Sequence, residues 1–295
     1  MQNRYDELKR AEKGAIISIV AYIFLSLIKI GVGVTYQSVA LRADGLNNLT
    51  DVFSSIAVLV GLKLARRPAD DNHPYGHWKA ETIASLVTSF VMLFIGIQVF
   101  YSSFNRLIEG ESISPDKITG LVGFLGAIIM LGVYFYNLTL AKKINSDGLK
   151  AVAKDNFSDA LTSLGTTIAI IGSTLGYVWM DGTMAIIVSF IIIKTGVEIF
   201  RDSAFSLTDG FNTEDLDRYK SSVLNLPNVV SVEEIKARKY GANIYVDVTI
   251  LVDATLTVLQ GHQITENVER TLKESYGIID IDVHVEPAQN NDTNS

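Results

Sequence analysis

The sequence predicts an α-helical membrane protein with six transmembrane helices, followed by a small C-terminal α+β domain. Three observations lead to this prediction. Of the 295 residues, 48% are hydrophobic and only 19% are charged, below the roughly 25% of an average globular domain. Six apolar stretches are long enough, at about 20 residues each, to cross the hydrocarbon core of a bilayer. Beyond residue 208 these stretches end and acidic residues become frequent.

The six predicted spans follow one another along the first two thirds of the chain. A polar segment precedes the first span, and no small-residue cleavage site follows it, so this span is interpreted as a retained helix and not as a signal peptide. The second and fifth spans contain several ionisable residues. The predicted spans are residues 14–34, 40–62, 82–104, 118–141, 152–177 and 182–205.

Lysine and arginine residues predict the orientation of the spans. The N-terminal segment, the second connection and the fourth connection are rich in them, whereas residues 35–39 and 178–181 contain none. Basic connections remain on the cytoplasmic side of a membrane. Both termini are therefore expected to be cytoplasmic, in a multi-pass protein of the cell (inner) membrane whose spans contact the lipid bilayer.

The segment that begins at Asp209 has a different character. Residues 209–295 hold fifteen acidic and seven basic residues, a net charge of −8, against +1 for the first 208 residues. Thr257 and Gln260 form the signature of a capped helix start, and Gly277 follows the end of that helix. The pattern predicts helix, strand, strand, helix and strand at 213–225, 229–239, 243–252, 257–275 and 279–286. The predicted domains are 1–208 in the membrane, 209–287 in the cytoplasm and a disordered tail, 288–295.

Composition excludes several kinds of partner and site. The net charge of −7 offers no basic surface for nucleic acid. The absence of cysteine removes disulfides, thiolate zinc sites and copper(I) sites together, which leaves imidazole, carboxylate and carbonyl oxygen as metal ligands. No cofactor is expected.

Two spans carry polar residues at helical spacing. Asn47 and Asp51 lie four residues apart in the second span, as do Asp155 and Asp159 in the fifth, so each pair lies on one helix face. Carboxylates within a span are costly and indicate a functional site. Asp44, early in the second span, also fits a buried polar group or a position near the end of the span. Three further charged residues of the spans are interpreted as architecture: Lys29, Lys194 and Glu198.

Two of the four histidines lie in the connection after the second span, in the stretch Asp-Asp-Asn-His-Pro-Tyr-Gly-His. Asp70, His73 and His77 could bind a metal there, or the histidines could only form hydrogen bonds. Pro74 and Gly76 argue against a helix. A helical metalloprotease motif needs glutamate directly after its first histidine, where Pro74 stands, so a membrane metalloprotease is not expected.

Together these motifs resemble the cation diffusion facilitator family over nearly the whole chain, from the first span to about Pro287. The matching motifs are Ala-Asp-Gly-x-Asn-x-x-x-Asp in the second span, the connection Asp-Asn-His-Pro-Tyr-Gly-His-Trp-Lys-Ala-Glu, Asp-x-x-x-Asp in the fifth span and the short C-terminal domain. The resemblance implies a homodimer with six spans per subunit and a ferredoxin-like, metallochaperone-like cytoplasmic domain. It also implies efflux of a divalent metal in exchange for protons.

The resemblance implies three metal sites and one charge pair. The implied transport site is Asn47, Asp51, Asp155 and Asp159. The implied loop site is Asp70, His73 and His77. The implied cytoplasmic-domain site is His262, His284 and Glu286, although Glu233 and Thr249 stand where zinc-transporting members have histidines. The implied charge pair is Lys79 with Asp209.

The residue types of the transport site indicate which metal it would carry. Asp155 stands where zinc-transporting relatives have histidine, and Asn47 offers an amide oxygen. A shell made only of oxygen favours harder cations such as manganese, so the chain resembles the manganese branch of the family. Zinc, iron(II) and cobalt(II) stay open as substrates. An alternative of another class is a membrane metal sensor without transport, which would not need carboxylates deep in the spans.

Overall fold

The computed structural model describes residues 2–36, 39–109, 117–177 and 179–288. The chain divides into two compact units, Met1–Ala204 and Phe205–Ser295, and each is described by itself. The division falls near the end of the sixth helix, shortly before the expected boundary at residue 208. Apart from Ala288, the expected disordered tail lies outside the described residues.

Six long helices form the first unit, as the sequence predicts. They are α1 (Gln2–Thr35), α2 (Val39–Ala65), α3 (Lys79–Glu109), α4 (Lys117–Ile144), α5 (Asp147–Thr174) and α6 (Trp179–Leu207). Within the described ranges, α1 to α4 are long and apolar enough to cross a membrane. The helices extend beyond the predicted spans because their polar flanks continue the same helix: the 34 residues of α1 correspond to about 50 Å, against about 30 Å of hydrocarbon.

The membrane unit is apolar on its outside and polar at its centre. Leu27, Phe53 and Phe94 point outward with 69–70% of their surface exposed. Lys29 and Asp51 are buried among the helices instead. This arrangement suits a protein whose surroundings are lipid, because charged groups within a membrane face the bundle interior.

Helices α1, α2, α4 and α5 form the group that carries the polar centre. Helix α1 packs along α2 and α4 packs along α5, while α1 also contacts α4 and α2 contacts α5. Helix α3 lies against α2 so closely that a Cβ atom at Gly61 would stand 2.9 Å from the backbone oxygen of Ala80. Helix α6 packs on α3, for example through the rings of Phe90 and Phe200, whose centroids are 5.6 Å apart.

The second unit is a three-stranded sheet with two helices. Its elements are α7 (Thr213–Leu224), β1 (Ser231–Tyr240), β2 (Asn243–Val252), α8 (Val258–Tyr276) and β3 (Asp280–Pro287). The sheet order is β1-β2-β3, with β1 antiparallel and β3 parallel to β2. The predicted order of elements is confirmed. Strand β1 begins two residues later than predicted because a turn follows Pro227, where Asn228 adopts a positive φ of 68°.

The core of the second unit is mainly apolar. Val223, Ile250, Val268 and Leu272 are completely buried between the sheet and the two helices. The start of α8 carries the predicted capping box, in which Thr257 and Gln260 exchange hydrogen bonds. Gly277 ends the helix with a left-handed φ of 65°, a conformation that glycine adopts at little cost.

Candidate metal centre

The two predicted pairs on α2 and α5 meet in the interior of the membrane unit. Asp51, Asp155 and Asp159 are buried, and one carboxylate oxygen from each lies within 4.8 Å of the others. They face one another because α2 packs against α5 and each residue lies on the facing side. Three like charges at such distances repel one another, and a divalent cation among the oxygens would relieve that repulsion.

Asn47 joins the same cluster from α2. Its amide nitrogen Nδ2 lies 3.1 Å from Asp51 Oδ2 and 3.3 Å from Asp159 Oδ1, and donates to both. The amide thus places hydrogen-bond donors between two carboxylates of the cluster. Because an asparagine amide offers a donor on one side and an acceptor on the other, a half turn of the group would present its oxygen to a bound cation.

Tyr22 of α1 is a member of the cluster that the sequence analysis did not predict. Its side chain is completely buried, and its hydroxyl group donates a short hydrogen bond to Asp159 Oδ2. The same hydroxyl lies 3.3 Å from Asp155 Oδ2. A signal was present in the sequence, since Ser18, Tyr22 and Ser26 repeat every four residues within a largely apolar span.

A chain of buried amide and hydroxyl groups holds Tyr22 in place. Asn156 donates to the Tyr22 hydroxyl oxygen at 2.9 Å. The side-chain oxygen of Asn156 accepts hydrogen bonds from Ser18 at 3.0 Å and from Asn137 at 2.9 Å. Residues of α1, α4 and α5 therefore support the cluster together.

Lys29 and Asp44, which had no assigned partners in the sequence analysis, form a buried ion pair beside the cluster. Lys29 Nζ lies 2.8 Å from Asp44 Oδ2. It also donates to Asn48 at 2.7 Å and to Ser163 at 2.8 Å. An ammonium group has three N–H donors, so these three contacts use all of them. Asp44 is thus a buried polar group with a charged partner, which is one of the two alternatives that the sequence left open.

Glu81, near the start of α3, is another buried carboxylate. It accepts hydrogen bonds from the Ser146 hydroxyl group and from the backbone N–H of Gly148, the latter at 2.9 Å. Ser146 and Gly148 flank the first residue of α5. Because the first N–H groups of a helix lack partners within it, Glu81 satisfies one end of the helix that carries Asp155 and Asp159.

The loop residues Asp70, His73 and His77 also lie close together. One ligand atom from each lies within 4.8 Å of the others. His73 Nδ1 is 3.1 Å and His77 Nε2 is 3.5 Å from the Asp70 carboxylate. Desolvation acts to raise the pKa of Asp70, but hydrogen bonds from His73 and Asn72 outweigh it, and the pKa lies below its ordinary value. The segment is a turn outside any helix, as Pro74 and Gly76 predict.

The histidines of the second unit are less closely grouped. His284 Nε2 lies 3.3 Å from Glu286 on β3, whereas His262 on α8 lies 3.6 Å from Glu266. Within the described part of one chain, His262 does not join His284 and Glu286 in a three-ligand group. All four side chains are exposed.

Two other pairs of charged residues are singled out in the sequence: Lys194 with Glu198, and Lys79 with Asp209. Lys194 and Glu198 pair at 4.0 Å, and Lys154 also reaches Glu198 and Asp202 at 3.7 and 3.6 Å. This network of ion pairs supports a structural role for Lys194 and Glu198. Lys79 belongs to the first unit and Asp209 to the second, and their pairing stays a prediction.

Comparison with known proteins identifies the family. The model described as "Cation efflux transmembrane domain" matches residues 15–208, and "Cation efflux protein, cytoplasmic domain" matches residues 211–288. The chain is 44% identical over 286 residues to the manganese efflux system protein MneS of Bacillus subtilis, covering 97% of this chain and 99% of MneS. It is 28% identical to MneP, another manganese efflux system protein of that organism, covering 97% and 99% of the two chains.

A third relative also matches nearly the whole chain. The uncharacterized transporter YdbO of Bacillus subtilis is 44% identical over 284 residues, covering 96% of this chain and 98% of YdbO. The matches span both units, and they agree with the resemblance seen in the motifs. The chain therefore belongs to the cation efflux, or cation diffusion facilitator, family of multi-pass membrane transporters, which move metal cations and are not enzymes.

Proposed function

We propose that this protein exports Mn²⁺ from the cytoplasm in exchange for protons, and that Asn47, Asp51, Asp155 and Asp159 form the transport site. The observation that carries the proposal is the buried cluster of three carboxylates, in which one oxygen from each lies within 4.8 Å of the others. Carboxylates are rarely buried without a partner. A divalent cation is the partner that fits three of them.

The oxygen ligands support manganese as the substrate. Among the described residues, no histidine takes part in the three-carboxylate group. Carboxylate and carbonyl ligands suit manganese, whereas imidazole suits zinc. The printed names of MneS and MneP, which describe manganese efflux, point the same way. Zinc, iron(II) and cobalt(II) are the alternative substrates of the same site, because manganese has the lowest intrinsic affinity of these metals for most ligands.

The crowding of the carboxylates supports proton exchange. Protons or a divalent cation can neutralise Asp51, Asp155 and Asp159, and the two compete for the same oxygens. If the site opens alternately to the two sides of the membrane, the entry of protons displaces the metal on the outer side. The inward flow of protons would thus drive the outward movement of Mn²⁺.

We further propose a homodimer in the cell membrane with both termini in the cytoplasm. The match of residues 211–288 to a cytoplasmic domain supports the location of the C-terminal unit. The Asp70–His73–His77 loop and the His284–Glu286 pair are candidate secondary metal sites, and His262 could complete the second one from another copy of the chain.

Flux measurements in proteoliposomes test the proposal. The purified protein should move Mn²⁺ faster than Zn²⁺ at equal concentration under a fixed pH gradient, and a pH-sensitive dye should report opposite proton movement. Faster zinc flux would refute the argument from oxygen ligands. Manganese flux without proton movement would refute exchange, and an absence of metal flux would favour a sensor.

Substitution of Asp155 by histidine sharpens the metal assignment. Asp155→His introduces one imidazole and removes one negative charge, and both changes favour zinc over manganese. Zinc prefers four ligands in a tetrahedron, so a gain of some zinc flux is expected, together with the loss of most manganese flux. Asp147→His, at the start of the same helix and outside the cluster, is the matched control and should leave the ratio of the two fluxes unchanged.

A further inference from the structure

The oxygens of the two α5 carboxylates have different neighbours. The Oδ2 atoms of Asp155 and Asp159 both lie at the Tyr22 hydroxyl group. On the opposite side, Oδ1 of Asp159 lies 3.3 Å from the amide of Asn47. Since a phenol has a single O–H, Tyr22 donates to Asp159 Oδ2, with which it makes the shorter contact, and Asp155 Oδ2 lies against the same hydroxyl group. Tyr22 therefore occupies one oxygen of Asp159.

Tyr22 itself has little freedom to move. Its ring packs in a buried cluster with Leu25, Val52, Met130 and Ala160. Its hydroxyl oxygen accepts from Asn156, which Ser18 and Asn137 hold in turn. Because packing fixes the ring and this network fixes the hydroxyl group, the phenol presents a rigid donor to Asp159.

We propose that Tyr22 is a positioning residue that makes Asp159 bind the transported cation through one oxygen, and that it thereby sets selectivity against larger cations such as Ca²⁺. The inference rests on the proposed transport site, and it adds a residue of α1 to it. Tyr22 acts through Asp159 and does not itself contact the cation.

The selectivity follows from the number of oxygens that each cation requires. Calcium takes six to eight oxygens and readily accepts both oxygens of one carboxylate. Manganese is satisfied by six ligands in an octahedral arrangement. If the hydroxyl group holds one oxygen of Asp159, the site has one oxygen fewer for the larger shell of calcium. Removal of the hydroxyl group frees Asp159 Oδ2 and makes two-oxygen binding by Asp159 available.

The test is equilibrium binding of Mn²⁺ to the full-length protein in lipid nanodiscs, measured by electron paramagnetic resonance with Ca²⁺ as the competitor. The signal of the transport site is the part that Asp51→Ala removes, which separates it from metal bound at the loop and the C-terminal unit. For Tyr22→Phe we expect the ratio of Mn²⁺ to Ca²⁺ affinity to fall about tenfold, the lower limit for loss of a group that orients a metal ligand.

Two further variants control the experiment. Tyr136→Phe makes the same change on α4, where the side chain is 47% exposed, and should leave the ratio unchanged. Ser18→Ala weakens the support of Asn156 without touching Tyr22 or a carboxylate. It should shift the ratio in the same direction by a smaller factor, and it serves as the test if Tyr22→Phe does not fold.

The outcomes separate this inference from the proposed function. An unchanged affinity ratio in Tyr22→Phe, or in Ser18→Ala if the former does not fold, would overturn the role of Tyr22 even if the protein exports Mn²⁺. An equal loss of Mn²⁺ and Ca²⁺ affinity would also overturn it, because a general disturbance of the site would not change selectivity. A changed ratio without metal flux in the wild-type protein would support the role of Tyr22 and refute export.

Discussion

The two units of this protein differ in the polar residues that they bury. In the membrane unit Tyr22, Lys29, Asp51 and Asp159 are buried, and large apolar side chains point outward. In the C-terminal unit, valine, isoleucine and leucine side chains fill the core, and the histidines are exposed. Most buried residues of the second unit therefore indicate packing, whereas many buried polar residues of the first belong to the candidate transport site or to the network that supports it.

The largest expected effect is a loss of metal flux, caused by changes in the carboxylate cluster of the membrane unit. Asp51→Ala or Asp159→Ala removes a charge that faces the cation, and metal flux in proteoliposomes should fall at least about a hundredfold, beyond the effect of losing a group that only supports a ligand. The proposed homodimer and the helix content should remain. Asp217→Ala, an exposed aspartate of α7, should transport normally. Normal export by either cluster variant would remove the basis of the site assignment.

The next largest effect concerns stability within the membrane unit. Lys29→Met leaves Asp44 buried without its cation, and the free energy of unfolding should fall by about 3–5 kcal/mol, as for other broken buried pairs. Replacement of both partners, as Lys29→Met with Asp44→Leu, should restore much of the loss. Lys194→Met, where the lysine side chain is 80% exposed, is the control. Unfolding in mixed micelles measures all three, and equal stability of Lys29→Met and Lys194→Met would contradict the prediction.

The smallest of these effects belongs to the C-terminal unit. Leu272→Ala opens a cavity in the apolar core and should reduce the free energy of unfolding by about 2–5 kcal/mol. Leu259→Ala makes the same change on the same helix, where the side chain is 67% exposed, and should alter stability by less than about 0.5 kcal/mol. Thermal unfolding followed by circular dichroism compares the two. Similar losses would show that burial in this unit does not determine stability.

The sequence predicts the fold well because hydrophobic periodicity and capping signals are local. The box of Thr257 with Gln260 and the terminal Gly277 lie where the pattern places them. The start of β1 is less predictable, since Pro227 marks a turn but not the residue at which that turn ends. The long N-terminal part of α1 is also missed, because hydropathy detects the part of a helix that lies in lipid and not its polar extension.

The candidate site is only partly predictable for a related reason. Asn47 and Asp51, or Asp155 and Asp159, are visible as pairs because each pair lies on one helix. Contacts between helices have no such local signal. The spacing of Ser18, Tyr22 and Ser26 marks a polar face of α1 but not what that face contacts. Likewise, Lys29 acquires its partner Asp44 only when α1 packs against α2.

The hydrogen bonds of Glu81 have a consequence for the construction of chimeras from related transporters. Its carboxylate on α3 is matched to Ser146 and to the backbone of Gly148 at the start of α5. A segment exchange that replaces one side of this contact alone would bury an acceptor without its donors. Viable chimeras should therefore inherit the beginnings of α3 and α5 from the same parent, and positions 81 and 146 should vary together among relatives.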